Sequence, residues 1–517
     1  MSRTLIAGGT VLANGDLGTI ADGALVVEDG IIIEVGERTR LEAHGPFETE
    51  LGGTDRMILP GFVNGHYHTE CWTAPGLLGS LFELDNLYMG SGLIDTTEEI
   101  IELLATYGLI HAAKGGQTTL IDTFYGRPWI HLLGAEAALR AYDAVGLRVA
   151  LGITMRDQNT YTHEDDEKFL ARLPAAIAEE VRNSPLGYAW PIEDQFRVFD
   201  QLYREWDGRR GRSRIILAPD WTPVCSDDLY RRCRRAADEY GTTITTHALE
   251  TRSELMWTVE NVGPSGMRRL EELGVLGEDV TLSHFVWATD EDIAVVAGSG
   301  AVPVHCPGSN LRSSTGICRV RDVLSAGGSL SIGTDGIASG DREDMIGEVR
   351  LASYLQRDAG DITSGPIPGE TLLRAATEGA AVPAGFGGEV GRLAPGYQAD
   401  LVCFRTDRIG FPAARYARTP APDLLVERAD AGDIEFVMVG GEMVVRDGEV
   451  LLVDEQRIID RINELAEDLY KPTAEARRRR ELADLMTTHI EEICRRWYQI
   501  PVHRPATIMN TRRAPGA

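Results

Sequence analysis

Between residues 57 and 389 the chain repeats one pattern: a short apolar run, a break, then a stretch of helical period. The apolar runs include "QTTLIDTF" (117–124), "LRVALGITM" (147–155), "SRIILAPDWT" (213–222), "TTITTHALE" (242–250), "VTLSHFVWA" (280–288), "AVPVHCPGSN" (301–310) and "SLSIGTDG" (329–336). With the run ending in "GHYH" (65–68) they number eight. Strands buried on both faces read as near-continuous apolar runs, which is how parallel sheets between helices look. Eight β/α units predict an α/β fold, a closed (β/α)8 barrel; alternation alone also fits an open doubly wound sheet.

The flanks read differently. Residues 1–56 and 390–453 are short β-like runs with hairpin signals at Asn14-Gly15 and Asp29-Gly30, and they are expected to pair into a small β-sandwich domain around the barrel of residues 57–389. Residues 454–517 form a helical C-terminal extension, in which Arg477–Arg480 read as a solvated helix face or a subunit contact. "DDEKFLARLPAAIAEEVRN" (165–183) reads as one helix, and Thr96 with Glu99 as a capping box. The segment 184–212 is an insertion, either a lid over the barrel mouth or a plain surface helix.

Composition removes several functions. Lys and Arg number 51 against 79 Asp and Glu, a net charge of −28, which disfavours nucleic acid and anionic membrane as partners. No secretory leader and no apolar run of membrane-spanning length is read. The 7 cysteines, including Cys71, are scattered without a C-x-x-C pair, so a cytoplasmic protein is expected. There is no G-x-G-x-x-G after a strand, no G-x-S-x-G and no P-C-x-x-C, against dehydrogenase, serine hydrolase and cytidine-deaminase readings.

Chemistry enters at the strand ends. His66 and His68 lie two apart in a strand, so both side chains point the same way. That pair alone fits two exposed or core-packed histidines equally well. His247, His284, His305 and Asp335 also fall at strand ends, and barrel active sites are built there. His66, His68, His247 and Asp335 supply three nitrogens and one carboxylate with room for water, a catalytic metal site.

The ordered motifs "PGFVNGHYH" (60–68), "HALE" (247–250), "SHFVWATDEDI" (283–293), "HCPGSN" (305–310), "GTDGIASGDREDMIGEVRLA" (333–352) and "GYQADLVCF" (396–404) resemble the amidohydrolase superfamily. The likeness spans residues 1 to about 455 and is to the branch of heterocycle deaminases and chlorohydrolases. It implies a barrel with a β-sandwich, and one divalent ion per chain on His66, His68, His247 and Asp335, since the fourth strand carries no lysine to bridge two. Zn2+ is the first choice and Fe2+ the second. Glu250 matches the H-x-x-E proton shuttle, although a helix-end acid is the plainer alternative. Asp335 doubles as a base in this likeness, and His284 matches a histidine that faces the water. His305, Tyr125, Arg156 and Trp221 are candidates for contact with substrate, with an ion pair the plainer role for Arg156.

The implied reaction is hydrolysis at a C–N carbon of a small nitrogen heterocycle, a purine, pterin or triazine, releasing ammonia or an amine. Amide, urea or carbamate hydrolysis and hydrolytic dechlorination use the same site. A non-catalytic assembly protein would have lost ligands that this chain keeps. A homo-oligomer is expected. The stretch "TECWTAPGLLGSLFELDNLYMG" (69–90) departs from the deaminases, and leaves the substrate open.

Overall fold

A computed structural model describes residues 3–69, 97–125, 131–161, 163–184, 190–336, 343–357, 365–412, 418–469 and 473–499. Cys71, Thr96 and most of the divergent stretch 69–90 lie outside the described residues.

Eight parallel strand positions succeed one another around a barrel: Phe62–Tyr67, Gln117–Phe124, Arg148–Met155, the interrupted pair Ser213–Ile215 and Ala218–Pro219, Ile244–Ala248, Val280–His284, Val302–His305 and Ser331–Ile332. Two seams close it. Thr245 N donates to Leu217 O (2.9 Å) and His247 N to Asp220 O (2.8 Å) between the fourth and fifth strands, and Asp335 N donates to His66 O (3.0 Å) between the eighth and the first. The last seam is tight: a Cβ on Gly333 would lie 3.0 Å from both the nitrogen and the carbonyl oxygen of His66. Only glycine lets the eighth strand approach the histidine strand this closely.

The chain ends build one eight-stranded sheet, ordered Glu449–Val450, Glu442–Arg446, Ile434–Val439, Leu401–Arg405, Thr49–Pro60, Arg3–Asn14, Gly18–Glu28, Ile31–Glu37. N- and C-terminal segments join where Leu401–Arg405 runs antiparallel to Arg56–Pro60. The strand Thr49–Pro60 carries this sheet past residue 56, up to the first barrel strand.

Three expectations about helices change. The helix Glu98–Lys114 is capped by Thr97, whose side chain accepts from Ile100 N, rather than through Thr96 and Glu99. The expected helix over 165–183 is two, Asp166–Leu170 and Ala175–Arg182, broken at Pro174, which lacks the N–H a continuous helix would use. Within 184–212, the helix Ile192–Trp206 buries Phe199, Leu202 and Trp206 in the main barrel core and packs on the helix His131–Val145 and the third strand. It is the outer helix of the third β/α unit, not a lid. The added piece lies just before it: Tyr161, Phe169, Leu170 and Val181 form a separate apolar cluster with Met256, Trp257 and the long helix Ala474–Tyr498. Among the described residues no helix is long and apolar enough to cross a membrane.

Candidate metal centre

His66, His68 and His247 bring one ring nitrogen each to within 4.8 Å of one another, and His66, His284 and Asp335 form an overlapping group on the same criterion. All are buried. His66 Nε2 and His68 Nε2 lie 3.1 and 3.2 Å from Asp335 Oδ1. His68 Nε2 lies 3.3 Å from His247 Nε2.

What stands behind each ring decides which nitrogen carries the proton. His68 Nδ1 is 2.6 Å from Thr123 O, and His247 Nδ1 is 3.1 Å from Asp220 O. A carbonyl only accepts, so both rings hold their proton on Nδ1 and turn a lone pair inward from Nε2. His66 Nδ1 is likewise engaged, 2.9 Å from Ser283 Oγ. Two inward lone pairs 3.3 Å apart beside a carboxylate oxygen repel one another, and a cation between them removes the conflict. Burial holds the third ring, His66, well below the ordinary imidazole value, so it too is neutral. Burial alone would raise Asp335, but the neighbouring His66, His68 and His284 outweigh that and hold it well below the usual carboxylate range, as an anion. The donor set, three imidazoles and a carboxylate, suits a borderline divalent ion.

Glu250 lies beside this cluster and is 2 % exposed. Its Oε2 is 3.4 Å from His284 Nε2, while His284 Nδ1 donates to Asn310 Oδ1 at 3.0 Å. That leaves the His284 lone pair facing the carboxyl. Burial lowers His284 to about 4, so it is neutral at pH 7. Ser309 Oγ donates to Asp335 Oδ2 and fixes the carboxylate on the side away from the histidines. The backbone is strained here: Leu249, His284 and Asp335 have φ of 51°, 71° and 64°. Left-handed non-glycine residues cost free energy and collect at functional sites.

Tyr125 and Arg156 meet on one carboxylate. Tyr125 Oη donates to Asp220 Oδ1 (2.6 Å), and the Arg156 guanidinium pairs with Asp220 Oδ2. Asp220 Oδ1 is also 3.3 Å from His247 Nδ1. Burial would raise Asp220, but Arg156 and His247 pull it down to about 2. Asp220 thus orients His247 of the cluster, as carboxylates behind metal-binding rings do. Sequence reasoning passed over it, though it too ends a strand; Ser309 and Asn310, on the short helix Pro307–Arg312, carried no charge signal. Trp221 is buried, pairs through its backbone with His247 and meets His163 edge-on at 4.9 Å. His305 is fully buried at the end of the seventh strand, and burial lowers it to about 3; neither ring nitrogen has a hydrogen-bond partner among the described residues. A cleft of about 880 Å³ lies between the 158–168 stretch and the helices after the fifth strand, with His163, Trp257 and Arg496 among its lining; none of the cluster residues lines it.

A parallel barrel with three histidines and an aspartate converging at its strand ends defines a metal-dependent hydrolase of carbon–nitrogen bonds. The chain belongs to the amidohydrolase family, whose model matches residues 57–444. It is 28% identical over 455 residues to a 5-methylthioadenosine/S-adenosylhomocysteine deaminase of Pyrococcus furiosus, covering 88% of this chain and 98% of the relative. To a 5'-deoxyadenosine deaminase of Methanopyrus kandleri it is 29% identical over 459 residues, covering 86% and 95%. Among solved structures it resembles an adenosine deaminase from Xanthomonas campestris with bound zinc (TM-score 0.73, 23% identity, 90% and 98% covered). It also resembles an atrazine chlorohydrolase from Arthrobacter aurescens complexed with zinc (TM-score 0.72, 22% identity, 89% and 99% covered).

Proposed function

We propose that the chain is an aminohydrolase that replaces the exocyclic amino group of a purine, in a nucleoside of the adenosine type, by oxygen and releases ammonia. The observation that carries this is the contact of Glu250 with His284 beside the His66, His68, His247 and Asp335 cluster. It sets a proton carrier next to a metal-binding set. The relatives named as deaminases of adenosine derivatives favour the purine over a triazine.

In this reading His66, His68, His247 and Asp335 hold one Zn2+. The ion, when bound, lowers the pKa of a water toward neutrality. The chain's own groups handle the protons. Glu250 takes one from the attacking water and passes it to the ring nitrogen, as the carbon takes up oxygen. Neutral His284, held by Asn310, faces the incoming oxygen with Nε2. Asp335 accepts the second proton on the oxygen that Ser309 does not hold. That proton goes to the leaving amine as the C–N bond breaks. Atoms balance: an aminopurine and water give an oxopurine and ammonia. In this reading Tyr125, Arg156, Trp221 and His305 are substrate contacts or, for Tyr125 and Arg156, supports of Asp220.

The barrel is taken as residues 57–389, the β-domain as 1–56 with 390–453 and the extension as 454–517. Cys225, Cys233, Cys306, Cys318 and Cys403, free and buried, support a cytoplasmic setting. A homo-oligomer is the expected assembly, which sedimentation measures.

The test is turnover of a panel of adenosine derivatives, aminotriazines, amides and ureas by zinc-loaded protein, with ammonia and metal content measured together. One zinc per chain, loss of activity on chelation, and ammonia release from adenosine derivatives are expected. Two tightly bound ions per chain, or activity confined to amides or chlorotriazines, overturns the reading.

A further inference from the structure

The eighth barrel strand ends at Ile332, three residues before Asp335, so no sheet ladder holds the carboxylate in place. Three successive backbone N–H groups do that work. Gly333 N donates to His305 O (3.0 Å) and Asp335 N to His66 O (3.0 Å). Between them, Thr334 N donates to a side chain, Asn64 Oδ1, at 3.2 Å. Asn64 lies two residues before His66 and is fully buried.

The Asn64 amide uses every position it has. Oδ1 accepts from Thr334 N and also from His66 N (3.2 Å). Nδ2 donates to Gln117 Oε1 (2.9 Å) and to Thr334 Oγ1 (2.8 Å). Thr334 Oγ1 in turn donates to Glu343 Oε2 (3.0 Å), and Gln117 Nε2 donates to Glu343 O (3.0 Å). The bonds close a ring of four residues, Asn64 from the first strand, Gln117 from the second, and Thr334 and Glu343 from the segment after the eighth. Donors and acceptors match all the way round. A buried ring of matched bonds fixes geometry.

We propose that Asn64, Gln117, Thr334 and Glu343 are positioning residues that set the distance between the His66/His68 pair and Asp335, and so tune the affinity of the metal site. The four reach the cluster through the backbone N–H groups of His66 and Thr334, which both donate to Asn64 Oδ1. Glu343 has a particular part: it is the carboxyl that receives the Thr334 hydroxyl while its carbonyl receives Gln117, joining the two arms. The left-handed turn at Asp335 (φ 64°) is what the ring holds in place. The proposal rests on the metal reading given above.

The test measures zinc affinity of the apoprotein by chelator competition, with its melting temperature, in wild type, Thr334→Val, Thr334→Ser and Gln117→Met. Thr334→Val keeps the shape and removes only the hydroxyl. It should weaken zinc binding by about 10- to 100-fold, the usual effect of losing an outer support of a metal ligand. Thr334→Ser, which restores the hydroxyl, should bind like wild type. Gln117→Met, on the far arm, should weaken binding less than Thr334→Val. A plain core role predicts a lower melting temperature with unchanged zinc affinity, and that result overturns the proposal. Should Thr334→Val not fold, wild-type zinc affinity in Gln117→Met overturns it, and weakened affinity supports it. Failure of wild type to bind zinc strikes the metal reading instead, so the two failures are distinct.

Discussion

Glu250 sits where a strand becomes a helix, and an acid there could simply serve the helix end. The structure fills that post with other residues. Thr251 caps the helix Arg252–Asn261 by accepting from Glu254 N, and Glu254 returns to accept from Glu250 N at 2.8 Å. Glu250 precedes the cap and points its carboxyl to His284 instead. Glu250→Gln keeps the shape and stops proton carriage. Metal content should stay at the wild-type level, and kcat should fall by roughly 10²–10⁴-fold. Wild-type kcat with metal retained would reject the shuttle. At this scale the histidines and Asp335 were legible because strand periodicity and strand ends say where side chains point. Asp220 follows the same rule at the end of the fourth strand. Asn64 and Thr334 lay inside quoted motifs, yet an amide and a hydroxyl give no sign in a sequence of the partner they will meet.

Elements were easier to count than to bound. Strands such as Gln117–Phe124 appear in the sequence at their observed length, because both their faces are buried and the apolar run is continuous. Helices in the third unit were misassigned for a physical reason. Two amphipathic stretches follow that strand, and periodicity shows that a helix has a buried face without showing what buries it. The second stretch, Ile192–Trp206, packs on the barrel, while the first packs on the C-terminal helix. That C-terminal helix, Ala474–Tyr498, lies beyond the family match at 57–444 and makes a joint of its own. Trp497 is fully buried, donates from its indole to Glu260 Oε1 (2.9 Å), and its carbonyl accepts from Arg252 (3.0 Å), on the helix that follows Glu250. Trp497→Ala should lower stability by about 3–5 kcal/mol, read as a shift in the denaturant midpoint, with zinc content unchanged. An unmoved midpoint would mean that this cluster contributes nothing to the cooperative unit.

The molecule as a whole is held by pairings that no local pattern contains. Short β-like runs marked the segments at both chain ends, but that Leu401–Arg405 lies beside Arg56–Pro60 is set by the barrel between them. A buried ion pair helps to fasten the two parts. Asp400, at the head of the strand Leu401–Arg405, takes a bidentate pair of bonds from Arg148 at the start of the third barrel strand: Nε to Oδ2 at 2.7 Å and a terminal nitrogen to Oδ1 at 3.0 Å. Oδ1 also accepts from Gly440 N at 2.6 Å, so the acid ties the barrel strand to the turn before Glu442–Arg446. Both side chains are almost fully buried, at 3% and 1% exposed, so each charge depends on the other. Removing one partner from such a pair costs more than the pair itself is worth, because the remaining charge is left in a dry site. Asp400→Ala should therefore destabilise the protein by about 3–5 kcal/mol. In an Arg148→Met background the same substitution should cost much less, since no guanidinium is stranded. A double-mutant cycle of unfolding free energies measures the difference. Equal costs in the two backgrounds would show that the sandwich is held to the barrel by apolar packing, with Asp400 acting only as the acceptor for Gly440.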